Sequence, residues 1–179
     1  MSTLKSRFGR FVLRPLDPER DGPALHAIFG DEDSCRYMSQ EPTASAAETI
    51  AALKTWQEGT AETTWSVAAR ADGPALGRIS LIPRGRDIWE AACMIAPEAR
   101  GRNLAERSLA LAIDHVFAEK AARRFFADID PDNSASIKTF QNLGFQYEGR
   151  LRANWKTHIG VRDSIIMSLI DADQRPWLK

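Results

Sequence analysis

Met94-Ile95-Ala96-Pro97-Glu98-Ala99-Arg100-Gly101-Arg102-Asn103-Leu104-Ala105 is the stretch on which the reading of this chain turns. It ends an apolar run, Ile88 to Ile95, that reads as a strand stopped by Pro97. A short basic turn follows, and then a helix predicted from Leu104 to Ala121. Ala105, Leu109, Ala112, Ile113, Val116 and Phe117 share one face of that helix at i, i+4, i+7, i+8 spacing. The first four N–H groups of a helix have no partner inside it, and the helix dipole adds partial positive charge there. Arg100 and Arg102 place full charges beside those N–H groups. Such a construction binds a phosphate or pyrophosphate. It is equally the form of an ordinary strand-to-helix connection with solvated arginines. It carries neither the glycine triplet of a dinucleotide fingerprint nor the Gly-Lys-Ser/Thr of a phosphate loop.

Outward from this junction the chain alternates between strand and helix signals. Upstream, Phe11 to Leu16 reads as a strand cut off by Pro15 and Pro18, and Ala24 to Phe29 as a short helix ended by Gly30. Asp31 to Ala44 is polar and contains Pro42, so it reads as a loop, although Tyr37 and Met38 are unusual apolar content for one. Ser45 to Gln57 is a second helix. Thr64 to Ala69 and Leu76 to Ile82 form two strands of a meander around the Ala71-Asp72-Gly73-Pro74 turn. Downstream, Arg124 to Ile129 is a strand and Ser136 to Leu143 a helix with Gly144 as its left-handed cap. Phe145 to Arg152 and Val161 to Leu169 close the chain as strands. This order argues for one mixed α/β sheet with helices on its faces.

Length and composition narrow the function. With 179 residues, 44% of them apolar and 27% charged, the chain is one domain with a sizeable core. Its 24 basic residues balance 24 acidic ones, which disfavours a nucleic-acid or anionic-membrane partner while leaving room for a local basic patch. Cys35 and Cys93 form no CxxC pair, and His26, His115 and His158 are isolated, so no metal site is expected. Met1 to Arg10 lacks the apolar core of a signal peptide, and no run approaches the roughly 20 apolar residues of a membrane span. The expected location is the cytoplasm.

A second segment adds chemistry. Asp132-Asn133-Ser134-Ala135-Ser136-Ile137-Lys138-Thr139-Phe140-Gln141-Asn142-Leu143-Gly144-Phe145 follows the first, with Glu148-Gly149 just beyond. Together the two resemble the GNAT superfamily of acyl-CoA-dependent N-acetyltransferases. Arg100-Gly101-Arg102-Asn103-Leu104-Ala105 is similar to its Gln/Arg-x-x-Gly-x-Gly/Ala motif. Asn133, Ser136, Leu143-Gly144-Phe145 and Glu148-Gly149 are similar to its Asn-x-x-Ser … Leu-Gly-Phe-x-x-Glu-Gly signature. Phe11 to Leu16 looks like the opening strand of the ribosomal-protein N-terminal acetyltransferase (Rim-type) branch. The resemblance spans about residues 10–170, with 171–179 as a tail, and implies a mixed, mostly antiparallel sheet of about seven strands with helices on both faces. One departure stands out: the family's central glycine is Asn103 here.

The resemblance also implies roles. Acetyl-CoA is the cosubstrate, and a protein N-terminus or small-molecule amine is the acceptor. A non-catalytic acyl-CoA-binding module is the alternative, since Asn103, Phe140 and Trp155 each replace a family functional type. The backbone of Met94 and Ile95 would pair with the pantetheine arm, and Arg100, Gly101, Arg102, Asn103, Leu104 and Ala105 would hold the pyrophosphate. Asn133 would bond the pantetheine, or else cap a helix; Phe140 would pack on the arm, or else belong to the core. Many relatives place a tyrosine at the position of Phe140 to protonate the departing sulfur. Ser136 is the implied replacement, with helix capping as its other reading. Glu90 matches the acidic residue that many members use as base, and is otherwise a solvated strand glutamate. A glutamate frequent in the Rim-type branch falls on Trp155, leaving His158 and Asp163 nearby. The basic hairpin Arg150 to Asp163 would border the acceptor site, attracting an acidic acceptor, or a homodimer interface.

Overall fold

The computed structural model describes residues 2–59, 63–119 and 122–178. Among the described residues, five α-helices and eight strands follow one another. They are β1 (Leu4–Lys5), β2 (Val12–Pro15), α1 (Pro18–Phe29), α2 (Glu32–Cys35), α3 (Ala46–Gly59), β3 (Thr63–Ala68), β4 (Ala75–Pro83) and β5 (Ile88–Ile95). After the basic turn come α4 (Leu104–Glu119), β6 (Arg124–Ile129), α5 (Ser134–Asn142), β7 (Gln146–Thr157) and β8 (Gly160–Ile170). Ala121, the predicted last residue of α4, lies outside the described residues. The strands form a single sheet in the order β1-β2-β3-β4-β5-β6-β8-β7. Every neighbouring pair is antiparallel except β5 and β6.

Helices cover both faces. On one, Leu109, Ala112, Ile113 and Val116 of α4 pack with Trp65, Ile79, Leu81, Trp89, Phe125 and Leu169 of the sheet. On the other, Leu25, Ile28 and Phe29 of α1 meet Leu53 of α3, with Trp56 and Met94 at the margin. Gly22 lets α1 lie against α3: a Cβ there sits 2.3 Å from Ile50 Cγ1. Beneath α1, the buried Arg14 donates to Asp21 (2.7 Å) and to the Gly73 carbonyl (3.0 Å), and Ser66 also donates to Asp21.

The elements differ from the sequence expectation in four ways. The first helix begins six residues early, because Asp17 caps it and Pro18 occupies its first turn, where the missing N–H costs nothing. A short helix, α2, capped by Asp31, interrupts the predicted loop. The sheet has an eighth strand, since Leu4 and Lys5 pair with Leu13 and Val12. The last two strands are longer than predicted, with exposed polar and apolar residues carried past the core. The C-terminal residues pack back on α4, where Asp114 accepts from Arg175 and Trp177, and also from Arg7 of the N-terminal arm.

Candidate active site

The parallel ladder between β5 and β6 is short. Ile88 pairs with Arg124, Trp89 with Phe125 and Glu90 with Phe126, and there it stops, although the strands run on to Ile95 and Ile129. The strands part beyond that rung. A cleft of about 450 Å³ opens at the parting, lined by Cys93, Met94 and Ile95 of β5, the turn into α4, the first residues of α5 and the α2 segment.

The turn has the conformation that its sequence requires. Gly101 (φ +75°) and Asn103 (φ +53°) are both left-handed. A Cβ at Gly101 meets nothing within 4 Å, so the dihedral alone calls for glycine there. Asparagine is among the few other residues that visit this region readily. The Asn103 carbonyl accepts from Arg107 N, which starts α4 at Leu104 and leaves the first N–H groups of the helix facing the cleft mouth.

Ten of the predicted residues line this cleft: Met94, Ile95, Arg100, Gly101, Asn103, Leu104, Ala105, Asn133, Ser136 and Phe140. Arg102 is exposed outside its lining. Arg100 turns back from the helix end, its Nε donating to the Ile95 carbonyl (3.0 Å) and its Nη2 to Ser34 Oγ. Asn133 is the N-cap of α5, accepting from Ser136 N at 3.1 Å. That leaves the Ser136 hydroxyl without a hydrogen bond among the described residues. Phe140 is buried against Phe145, ring centroids 4.9 Å apart, as the core reading expects, and it also lines the cleft. Cys93 also faces the cleft, but burial pushes its thiol up to about 12, so at neutral pH it is a poor nucleophile.

Glu90 lies outside the cleft lining, on the face of β5 turned away from α4. Strand alternation puts Trp89 and Ala91 into the α4 core and turns Glu90, Ala92 and Met94 the other way. Arg84 donates to Glu90 through Nε (2.8 Å) and Nη2. Asp163 is held by Arg150 and by Ala153 N, and the hydrogen bond from Ala153 N, with that from Arg150, sets its carboxyl below the usual range. His158 bonds the Met38 carbonyl. Two of the four Arg and Lys residues of the basic hairpin are neutralised: Arg162 pairs with Asp130 and Asp132, and Arg150 with Asp163.

Sequence reasoning did not select the α2 segment. Tyr37 and Ser34 form one wall of the cleft, and the Tyr37 hydroxyl donates to the Asp132 carbonyl across it (3.2 Å). The signal was the apolar Tyr37-Met38 pair in an otherwise polar stretch. Nor did it select Asp128 on β6, which accepts from Asn154 and Trp155; nothing local in the sequence brings β6 and β7 side chains together.

A mixed sheet that parts at its one parallel pair, with a helix N-terminus at the mouth of the gap, has the construction of an acyl-CoA-binding transferase. Residues 10–146 match the acetyltransferase (GNAT) domain model, and the chain belongs to that family. It is therefore an acetyl-CoA-dependent N-acetyltransferase. The chain is 26% identical over 159 residues to the spermidine N(1)-acetyltransferase of Escherichia coli K12, covering 88% of this chain and 84% of that one. A GNAT-family acetyltransferase structure from Bacillus anthracis superposes with a TM-score of 0.83 at 16% identity, covering 96% of this chain and 99% of that one. The spermidine N-acetyltransferase of Vibrio cholerae, solved with CoA and spermine, gives 0.77 at 21% identity, with 91% and 96% covered.

The residues present fit acetyl-CoA. The cleft combines free helix N–H groups at one end, unpaired strand edges along its length and an apolar wall of Phe140 and Leu104. Among the described residues no group of three or more His, Cys, Asp or Glu is arranged to hold a metal ion. No helix among them is long and apolar enough to cross a membrane.

Proposed function

We propose that this protein moves the acetyl group of acetyl-CoA directly to a primary amine, in a ternary complex without an acyl-enzyme. The observation that carries the reading is the cleft at the β5–β6 parting, which is lined from the start of α4 to Cys93, three residues past the last shared rung at Glu90 and Phe126. The main chain of Met94 and Ile95 pairs with the pantetheine amides as a further strand. The turn from Arg100 to Ala105 receives the pyrophosphate, Asn133 offers its free amide N–H to the arm, and Phe140 packs against it. Ser136 donates its unengaged hydroxyl to the departing sulfur. The high pKa of Cys93 supports direct transfer over an acetyl-cysteine route.

The acceptor is a small-molecule amine or a protein N-terminus. Likeness to a spermidine acetyltransferase supports a polyamine as the first amine to try. The opening strand at Phe11 to Leu16 supports placement near the Rim-type branch, working in the cytoplasm on residues 10–170 as the catalytic unit. The β7 edge, with Tyr147, Leu151 and Trp155 exposed, supports a homodimer.

The deciding experiment is thiol release from acetyl-CoA with spermidine and with an α-amino peptide, followed by mass analysis of the amine. Acetylated product with stoichiometric CoA is the expected result. Tight CoA binding without turnover on either amine would instead establish a non-catalytic binding module.

A further inference from the structure

Past the last rung of the β5–β6 ladder, Asp128 is the first residue of β6 on the same face as Glu90. The pairing of Glu90 with Phe126 fixes this. Phe125, Ala127 and Ile129 point into the α4 core, so Phe126 and Asp128 point to the other face, where Glu90 and Ala92 also lie. Asp128 therefore stands beside the parting, on the face of Glu90 and Ala92, beyond the residues that line the cleft.

Its carboxylate is oriented but not neutralised. Trp155 Nε1 (2.9 Å) and Asn154 Nδ2 (3.1 Å) both donate to Oδ2, and Asn154 is itself steadied by Ser164 Oγ (2.9 Å). Both donors are neutral and both use the same oxygen. Oδ1 accepts no hydrogen bond, and Asp128 forms no ion pair, among the described residues. The other carboxylates around it differ. Glu90 is paired with Arg84, Asp130 and Asp132 with Arg162, Asp163 with Arg150, and Glu148 with Arg124. The His158 ring is bonded to the Met38 carbonyl and the Tyr37 hydroxyl to that of Asp132. Arg152 and Lys156 of β7 are exposed and make no ion pair among the described residues.

We propose that Asp128 is the acceptor-binding carboxylate: its free oxygen takes the ammonium of the incoming amine and removes the proton that blocks attack. This rests on the acetyl-transfer reading above and adds to it a substrate class, amines that arrive as cations. One proton passes from R–NH3+ to Asp128. The freed lone pair attacks the thioester carbon, a C–N bond forms and the C–S bond breaks. The second proton leaves the new C–N centre as the tetrahedral intermediate collapses and goes to the sulfur, giving CoA thiol and amide. Asp128 then returns its proton to water. Trp155 and Asn154 are positioning residues in this scheme, because they hold one oxygen so that the other faces the substrate.

The test is the pH dependence of kcat/KM for spermidine in wild type, Asp128→Asn, Asp128→Glu and Glu90→Gln, with folding checked by circular dichroism. An enzyme that accepts the cation keeps its rate across neutral pH, and loses it above the pKa of the amine, where the cation disappears. An alkylamine near pKa 10.4 is neutral only about once in 2,500 at pH 7. Asp128→Asn should therefore be slower by about 10²-fold or more at pH 7. Its deficit should shrink about tenfold per pH unit as the solution takes over deprotonation. Asp128→Glu, which keeps the charge, should retain the wild-type profile at a lower rate, and it carries the test if the amide variant does not fold. Parallel profiles in wild type and Asp128→Asn overturn the assignment, and so does a profile lost in Glu90→Gln but kept in Asp128→Asn. A wild type that turns over no amine overturns the acetyl-transfer reading, and this assignment with it.

Discussion

Ser136 shows how a cap supplied by its neighbour leaves a side chain unengaged. In sequence, Asn133 and Ser136 were both able to cap α5, and Ser136 alone was able to reach a departing sulfur. The structure gives the cap to Asn133, with Ser136 supplying only its backbone N–H. Ser136→Ala should then lower kcat, by about 10²-fold at the low end of proton-donor effects, while the melting temperature and the Kd for CoA stay as they are. Asn133→Ala should cost about 1 kcal/mol of stability, read by urea titration. An Ser136→Ala enzyme with full kcat and a lower melting point would reverse the two roles. In the cleft wall, Arg100→Glu replaces a cation by an anion and removes the hydrogen bonds to the Ile95 carbonyl and Ser34 Oγ. Calorimetry should find CoA binding weakened by roughly tenfold or more. These cleft-lining residues were legible because they fall in two continuous stretches. Asp128 was not, since its meaning comes from Trp155 and Asn154, which the β7–β8 hairpin delivers from far along the chain.

At the scale of elements, legibility followed the kind of signal. α4 begins where its sequence says, because Gly101 and Asn103 mark the turn and the apolar stripe begins at once. α1 was read six residues short because Pro18 was taken as a strand stop. The same proline after Asp17 is a helix-start signature, Asp17 accepting from Glu19 N and Arg20 N. α2 is too brief to show a period, and β1 is only two residues long. The α1–α3 pair supplies a test of packing against propensity. Alanine inside a helix is ordinarily better than glycine by roughly 0.5–1 kcal/mol. At Gly22 the added carbon meets Ile50 Cγ1 at 2.3 Å, near the start of its side chain, so the helices must move apart. Gly22→Ala is expected to be less stable by about 1–3 kcal/mol, the usual range for overpacking. A gain in chemical-denaturation midpoint would mean that α3 yields freely.

For the molecule as a whole, the buried Arg14–Asp21 pair joins β2 to α1 and fixes an acid limit on stability. Burial pushes the Asp21 carboxyl up, but hydrogen bonds from Ser66, Arg20, the Asp17 N–H and Arg14 outweigh it and leave the group below its ordinary value. The folded state therefore holds fewer protons than the unfolded one between those two pKa values. The stabilisation is complete above the ordinary carboxylate range and is lost as pH falls through the folded value. Asp21→Asn, which cannot titrate, should be less stable than wild type near neutral pH. Its melting temperature should also fall less steeply between about pH 5 and pH 3. Equal slopes would show that other carboxylates set the acid limit. The short β5–β6 ladder has a different consequence at this scale. It leaves the sheet as two leaves, β1 to β5 and β6 to β8, hinged at three rungs. A molecule of acetyl-CoA bonded along the open edge of β5 and packed on α5 would act as a rivet between the leaves. Ligand at a hundred times its Kd adds about 2.7 kcal/mol to folding stability. That gain should be felt first at the seam, where amide protons from Ala91 to Ile95 and from Ala127 to Ile129 would slow their exchange together. The cell's supply of acetyl-CoA would then set how tightly this enzyme holds its own halves.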